Sequence, residues 1–345
     1  MPTPTGGPTT GARRAKDDYR SRRAVLAYAP RDAAAFERYV QRTVAHYKDR
    51  VRWWQVFNEP VFTTYSLPRK FGYTARDYAA WAQRFVRAAR RADPECRILA
   101  GMGYVRGGQI EQDWEQFLAA GGHEGVDTMD IHHYPRIRPP EFIEPLLVTL
   151  GEQMARHGGR KPLWLTEYGY YADDAPWAVP LPHSRFNRPL RSEALQCAYA
   201  VRWAALCFAN GVDKILYHAG TCDGVNRDSL QDIFFEYAGR PHAVYAAQAV
   251  MSHLFTTSCR FVRQLSLGEG VRAYLFGDEG RSFAVVWAPA GARPRRVAVQ
   301  DQRLAVWNIM GRPREGRTFT PDGTPVYVVG DGVDAETVAA SLKTP

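Results

Sequence analysis

The sequence predicts an α/β chain: a (β/α)8 barrel of the TIM type followed by a small β-sandwich-like domain. Three observations predict it. Between about residues 24 and 255, short and continuously apolar runs alternate with stretches of helical periodicity, the pattern of a parallel sheet covered on both faces. Two of the apolar runs close on a glutamate, Glu59 and Glu167, and strand C-termini form the working face of such a barrel. From about residue 259 the helical periodicity stops and short alternating runs take over.

Residues 1–22, rich in Pro, Thr, Gly and Arg, read as a flexible tail. Residues 24–28 are a short strand candidate. Asp32 caps a helix from Ala33 to about Lys48, with Phe36, Tyr39, Val40, Val44 and Tyr47 on one face. A strand over 52–57 leads into Asn58-Glu59-Pro60. A helix from about Thr74 to Ala92 stops at Asp93-Pro94. Strand 97–101, helix 110–120 and strand 126–134 follow, the last ending in His132-His133-Tyr134-Pro135. A helix over 142–157 closes at Gly158-Gly159, and strand 163–166 delivers Glu167. A long loop over 171–189, helix 192–210, strand 214–218 and helix 241–255 complete the alternation. The runs 271–276 and 282–287 flank Gly277-Asp278-Glu279-Gly280, a hairpin signal. Further short strands are expected near 295–299, 303–308 and 325–329. The expected domains are a tail 1–22, a barrel 23–258 and a small β domain 259–345.

At 345 residues the chain suits a barrel with a small appendage, and its 45% apolar content supplies a large core. The net charge is +9, from 45 Lys and Arg against 36 Asp and Glu. The basic residues are spread and no nucleic-acid motif interleaves with them, so a solvated basic surface is expected and not a nucleic-acid partner. Arg87, Arg90 and Arg91 read as a solvated helix face. Cys96, Cys197, Cys207, Cys222 and Cys259 lack C-x-x-C spacing, which argues against a zinc site or a disulfide framework. Buried free thiols are expected. His132 and His133 are adjacent, poor geometry for a shared metal on a strand, so neither metal nor cofactor is expected. No apolar run reaches transmembrane length, so no membrane partner is expected. Residues 1–23 lack the apolar middle of a secretion signal. Read from Met1 the chain is cytoplasmic; a start lying upstream would make it secreted.

Two carboxylates on different strands of one barrel mouth are the equipment for glycoside hydrolysis. The residues alone also allow a plainer reading, in which both glutamates are ion-pair partners of nearby arginines. Phe57-Asn58-Glu59-Pro60 and Thr166-Glu167-Tyr168-Gly169 resemble the paired signatures of the clan of retaining (β/α)8 glycoside hydrolases, which close the fourth and seventh strands of that barrel. His132-His133-Tyr134 resembles the His-x-Tyr that ends the sixth strand in several of those families. In look the sequence is nearest to the group containing β-xylosidases and α-L-iduronidases, whose members often carry a β-sandwich beside the barrel. The resemblance spans about residues 24–255. It implies a retaining O-glycoside hydrolase that acts on a glycoside or a plant or microbial polysaccharide by double displacement. Glu59 would be the acid/base and Glu167 the nucleophile.

The resemblance also implies a gap. If Glu59 closes strand four, residues 23–28 are strand three, and two further βα units need roughly 60 residues or more. The barrel is therefore expected to lack its first two βα units. That opens a second reading, a non-catalytic carbohydrate-binding remnant of such an enzyme.

Asn58 is a candidate donor to the sugar 2-hydroxyl; alternatively it caps the turn that follows. Tyr134 is expected to donate to Glu167, and His132 to face the same mouth by two-residue alternation. Either is otherwise an ordinary core residue with a satisfied polar tip. Trp177, Tyr170, Tyr171 and His218 are candidate stacking platforms for a sugar ring. His218 ends the presumed eighth strand, where many relatives place a tryptophan. Asp127 and Asp130 read as capping or pairing residues, and Glu193 and Glu236 lie outside strand ends.

Overall fold

The computed structural model describes residues 27–62, 65–103, 108–172, 174, 190–218 and 241–344. The chain divides into two compact units, residues 1–134 with 148–167 and residues 135–147 with 168–345.

The first unit is an alternating β/α array. Helix α1 (Ala33–Tyr47) starts at Asp32, whose carboxylate accepts the Ala35 N–H at 3.0 Å and satisfies one orphan donor of the first turn. Of the expected face it buries Phe36, Val40 and Val44, while Tyr39 is half-buried and Tyr47, in the last turn, is exposed. Strand β1 is Trp53–Gln55. Helix α2 (Ala75–Ala92) opens with a reciprocal capping box between Thr74 and Asp77. Strand β2 (Arg97–Met102), helix α3 (Gln109–Ala119), strand β3 (Thr128–His133), helix α4 (Ile143–Arg156) and strand β4 (Leu163–Tyr168) follow. The sheet order is β1-β2-β3-β4. β1 and β3 both pair parallel to β2, with Gln55 opposite Leu99 and Asp130 opposite Gly101. Trp54 is buried on one face of β1, while Trp53 and Gln55 point the other way and stay exposed. Trp53 meets Trp164 of β4 with ring centroids 4.4 Å apart, although two strands separate them in the sheet. The sheet is therefore curled, with the odd positions of β1 on its concave side.

Two local expectations change. β1 ends at Gln55 and not at Phe57, because Phe57, Glu59 and Val61 all adopt left-handed backbone (φ 61°, 45° and 70°) that cannot continue a ladder. Arg90 does not stand on a solvated face: it donates to Asp127 at 2.6 Å and to the carbonyls of Pro94 and Cys96. Asp127 also takes Arg97 at 3.0 Å and the Ile98 N–H at 2.8 Å, so it is the pairing residue expected of it.

The second unit contains helix α5 (Glu193–Ala209), strand β5 (Val212–Tyr217) and helix α6 (Ala243–Leu254). It continues through strands β6 (Arg260–Gln264), β7 (Arg272–Gly277), β8 (Arg281–Trp287), β9 (Val297–Val299), β10 (Ala305–Asn308), β11 (Thr318–Phe319) and β12 (Val326–Asp331), helix α7 (Ala335–Ser341) and strand β13 (Leu342–Lys343). These strands form two antiparallel sheets, β10-β12-β8-β7-β6 and β11-β9-β13. One buried apolar cluster takes residues from both sheets, among them Leu275, Val286, Val297, Val328 and Leu342, with Val338 of α7. The hairpin turn expected at 277–280 is present. Asp278 accepts the N–H groups of Gly280 and Arg281, each at 2.9 Å, which mimics a backbone turn. α5 is apolar nearly all round, and its one buried cation, Arg202, forks onto Glu141. Burial opposes a charge on Glu141, but the Arg202 hydrogen bonds hold its carboxyl below the usual range. Trp287 adds its indole N–H at 2.8 Å. Cys96, Cys197, Cys207 and Cys259 are free thiols, and no helix of the described residues is long and apolar enough to cross a membrane.

One side chain fixes where β1 ends relative to β2. The buried Tyr78 hydroxyl of α2 donates to the Val56 carbonyl at 3.1 Å and accepts the Gly101 N–H at 3.2 Å. Tyr78→Phe leaves both backbone groups without a partner, so we expect about 1–3 kcal/mol of destabilisation. Urea unfolding checks this as a lower midpoint at unchanged slope.

Candidate active site

The strand ends of the first unit converge on four side chains. Glu59 lies four residues beyond the end of β1, His132 near the end of β3, Tyr134 just after β3, and Glu167 is the next-to-last residue of β4. His132 Nδ1 stands 3.1 Å from Glu59 Oε1 and 3.2 Å from Glu167 Oε2. The Tyr134 hydroxyl donates to the same Glu167 Oε2 at 2.7 Å. One oxygen of Glu59, one of Glu167 and the imidazole nitrogen all lie within 4.8 Å of one another. His132 is 1% exposed and Glu59 8%, whereas the Glu167 side chain is 24% exposed and opens to solvent.

The local backbone is shaped to bring Glu59 in. Non-glycine residues in left-handed conformations cost of order 1–3 kcal/mol each and persist only where surroundings over-determine them. Here the loop after Glu59 is tied on both sides. Val61 N–H donates to Ser66 at 3.0 Å, and Arg69 N–H donates back to Val61 at 2.9 Å. Leu67 N–H reaches the Ala27 carbonyl at 2.6 Å, and the Arg69 guanidinium is bound to Asp113. Gly103, one residue past β2, leaves the room: a Cβ there would stand 2.0 Å from the Glu59 Cα. Gly101 does the same for β3, where a Cβ would stand 1.8 Å from the Asp130 carbonyl oxygen.

Burial works against a charge on His132, yet hydrogen bonds to Glu167 and Glu59 and the nearby Asp130 overcome it and raise its pKa to about 9. The imidazolium is thus itself the cation between the two carboxylates, and a metal ion, which needs a neutral imidazole, would have to displace its proton. Asp130 is a correction to the sequence reading. It caps no helix and bonds to neither lysine nor arginine; the one basic group it faces is His132. It lies mid-strand in β3, 3% exposed, two residues before His132. Its Oδ2 accepts from Gln55 Nε2 at 2.6 Å and from Thr166 Oγ1 at 2.9 Å. Burial raises its carboxyl above the ordinary value, while His132 and these two donors pull the other way. Sequence reading missed Asp130, Gln55, Thr166 and Gly103 as parts of the site. The available signal was parity: Asp130, His132 and Tyr134 are alternate residues of one strand.

Asn58 is exposed and borders a largely apolar cavity of about 650 Å³ lined by Tyr28, Phe36, Trp53, Phe57 and Leu67 among others. Neither glutamate lines that cavity, so this hollow and the carboxylates are different places. Tyr170 and Tyr171, at 0% and 7% exposure, are packed into the second unit. His218 follows β5 in that unit, its N–H donating to the Tyr168 carbonyl at 2.9 Å. Trp177 lies outside the described residues.

No family model and no curated protein matches the chain by sequence. Solved structures do match it by shape. A family 39 glycoside hydrolase from the gut symbiont Bacteroides cellulosilyticus WH2 superposes with a TM-score of 0.61 at 18% identity, over 87% of this chain and 62% of that one. A glucosidase from Croceicoccus marinus gives 0.56 at 15% identity, over 88% and 76%. A family 51 α-L-arabinofuranosidase from Bifidobacterium longum gives 0.57 at 11% identity, over 82% and 67%. The fold is of the α/β TIM type. This chain spans 62% of the length of the first of these structures.

The His132 position carries a pH prediction. An imidazole at about 9 in the folded state against an ordinary 6.5 favours the folded chain while it is protonated. That contribution, on the order of 3 kcal/mol, is complete below pH 6.5 and is lost as pH rises through 9. Denaturant midpoints should therefore fall between pH 7 and 9.5, and His132→Gln should flatten that fall.

Proposed function

We propose that the chain is a retaining O-glycoside hydrolase, with Glu59 as acid/base and Glu167 as nucleophile. The observation that carries this is that one oxygen of Glu59 and one of Glu167 lie within 4.8 Å of each other. Retaining enzymes hold their carboxyl groups about 5–5.5 Å apart, and inverting enzymes about 6.5–9.5 Å to admit a water between them. The exposure of Glu167 and the fold shared with glycoside hydrolases point the same way.

In the first step the Glu167 carboxylate attacks the anomeric carbon while Glu59 gives its proton to the departing oxygen. A glycosyl–Glu167 ester and an ionised Glu59 result. In the second step Glu59 takes a proton from water, the water oxygen attacks the same carbon, and Glu167 leaves as a carboxylate. Tyr134 aims the attacking oxygen and favours its ionised form. His132 stands within hydrogen-bonding reach of both glutamates. With Glu167 ionised and Glu59 protonated, one anion faces one cation. In the ester state the anion is Glu59 and the balance is the same. Asn58, at the rim beside Glu59, is a candidate for the sugar 2-hydroxyl.

A second reading is favoured by one observation. The concave face of β1 is open, with Trp53 40% exposed, and an open aromatic face suits carbohydrate binding without turnover.

Assay on nitrophenyl glycosides (β-xyloside, β-glucoside, β-galactoside, α-arabinofuranoside) separates the two. Glu167→Gln should lower kcat by at least about 10⁴-fold, the scale of removing a nucleophile. Glu59→Ala should be partly rescued by azide on activated aryl substrates. Turnover surviving in Glu167→Gln would sink the assignment, and saccharide binding by a folded chain that turns over nothing would establish the binding reading.

A further inference from the structure

The inward-facing polar residues of the first unit form two tiers. The upper tier is Glu59, His132 and Glu167. The lower tier is Gln55, Asp130 and Thr166. The β1 segment, β3 and β4 each supply one member to each tier. The β2 segment supplies Gly101 and Gly103, and the missing side chains are what let Asp130 and Glu59 approach it. Both lower hydrogen bonds end on one oxygen of Asp130, and both donors are neutral. A carboxyl that only accepts is being supported in its ionised form.

We propose that Asp130 is a positioning residue: held from below by Gln55 and Thr166, its carboxylate is the fixed counter-charge that keeps the His132 imidazolium seated between the two glutamates. The inference deepens the glycosidase reading and rests on it for its consequence in turnover.

The reason for a fixed counter-charge lies in the cycle. The negative charge of the upper tier moves from Glu167 to Glu59 and back, and at each transition state it is spread between forming and breaking bonds. A cation tied only to those two oxygens loses part of its support at those moments. Asp130 takes no part in bond making, so its field on His132 stays constant. The charged and titratable groups facing His132 are Glu59 from the β1 segment, Glu167 from β4 and Asp130 from β3 itself. Those facing Asp130 are His132, Glu167 and, from α2, the buried Tyr78 hydroxyl, whose own ionisation burial and Asp130 both oppose. Among the described residues neither lysine nor arginine bonds to Asp130, so its cation is His132.

The test is a pH titration of the imidazoles by long-range ¹⁵N NMR on the full chain, with the His132 signal assigned by its loss in His132→Gln. In Asp130→Asn, which keeps the size and the acceptor but removes the charge, the His132 midpoint should fall by about one pH unit or more. Thr166→Val, which removes one donor and leaves the carboxyl, should move it the same way by less. On an aryl glycoside the alkaline limb of kcat should move down with that midpoint, while KM stays within about twofold. An unmoved His132 midpoint in Asp130→Asn that still melts cooperatively overturns the proposal. If Asp130→Asn does not fold, an unmoved midpoint in Thr166→Val overturns it instead. A shifted midpoint in a chain that hydrolyses no glycoside would refute the hydrolase reading and uphold the electrostatic role. Hydrolysis with an unmoved midpoint would do the reverse.

Discussion

The first unit is organised around one buried cation. His132 sits between two carboxylates at 3.1 and 3.2 Å, and two residues along its strand from a third that also favours its charge. Isolated buried charge is expensive, so each of these groups is tolerable only because the others are where they are. Remove the imidazolium and three carboxyls face one another in a low dielectric. Remove the carboxylates and a buried histidine would sit neutral. The sheet register, the glycines of the β2 segment and the left-handed turn after β1 are the means by which the backbone delivers these groups to one point.

Strand geometry explains why that point is where it is. Alternate residues of β3 put Asp130, His132 and Tyr134 on the concave side in succession. β1 stops early, and the chain spends Val56 to Glu59 in turning its carboxylate inward. Gln55, the last residue that pairs in the ladder, reaches across the β2 segment to Asp130 at 2.6 Å. Gly101 lets the Asp130 backbone come close to β2, since a Cβ there would stand 1.8 Å from the Asp130 carbonyl oxygen. Tyr78 then locks the end of β1 against β2 from the helix side. The tiers, the glycines and the tyrosine are therefore one construction seen from three sides.

Part of this was legible in the sequence. Glu59, Glu167 and Tyr134 could be read because each ends an apolar run, and strand ends are where a barrel keeps its chemistry. Helices were legible where caps and apolar stripes agree, as at Asp32 and Thr74. Other parts were hidden for physical reasons. Asp130 carries no local sign of its role, since a buried mid-strand carboxyl depends on Gln55 and Thr166, 75 and 36 residues away in sequence. The left-handed turn that ends β1 two residues before the expected Phe57 is hidden because Phe57, Glu59 and Val61 are residues that rarely adopt positive φ. β6 was missed because Arg260–Gln264 is a charged, exposed edge with no apolar alternation to read.

The cost of this construction bears on what the chain does. Three left-handed non-glycine residues within five positions store of order 1–3 kcal/mol each. Burying the Asp130 carboxyl raises it above its ordinary value, a cost that His132 and two hydrogen-bond donors oppose. Aromatic platforms and a few hydrogen bonds are enough to bind a sugar, whereas the proposed hydrolase gives a use to two carboxylates that bring one oxygen each within 4.8 Å. In the proposed double displacement one carboxylate must stay ionised while its neighbour carries a proton, and a cation held between the two carboxylates serves both states of that cycle.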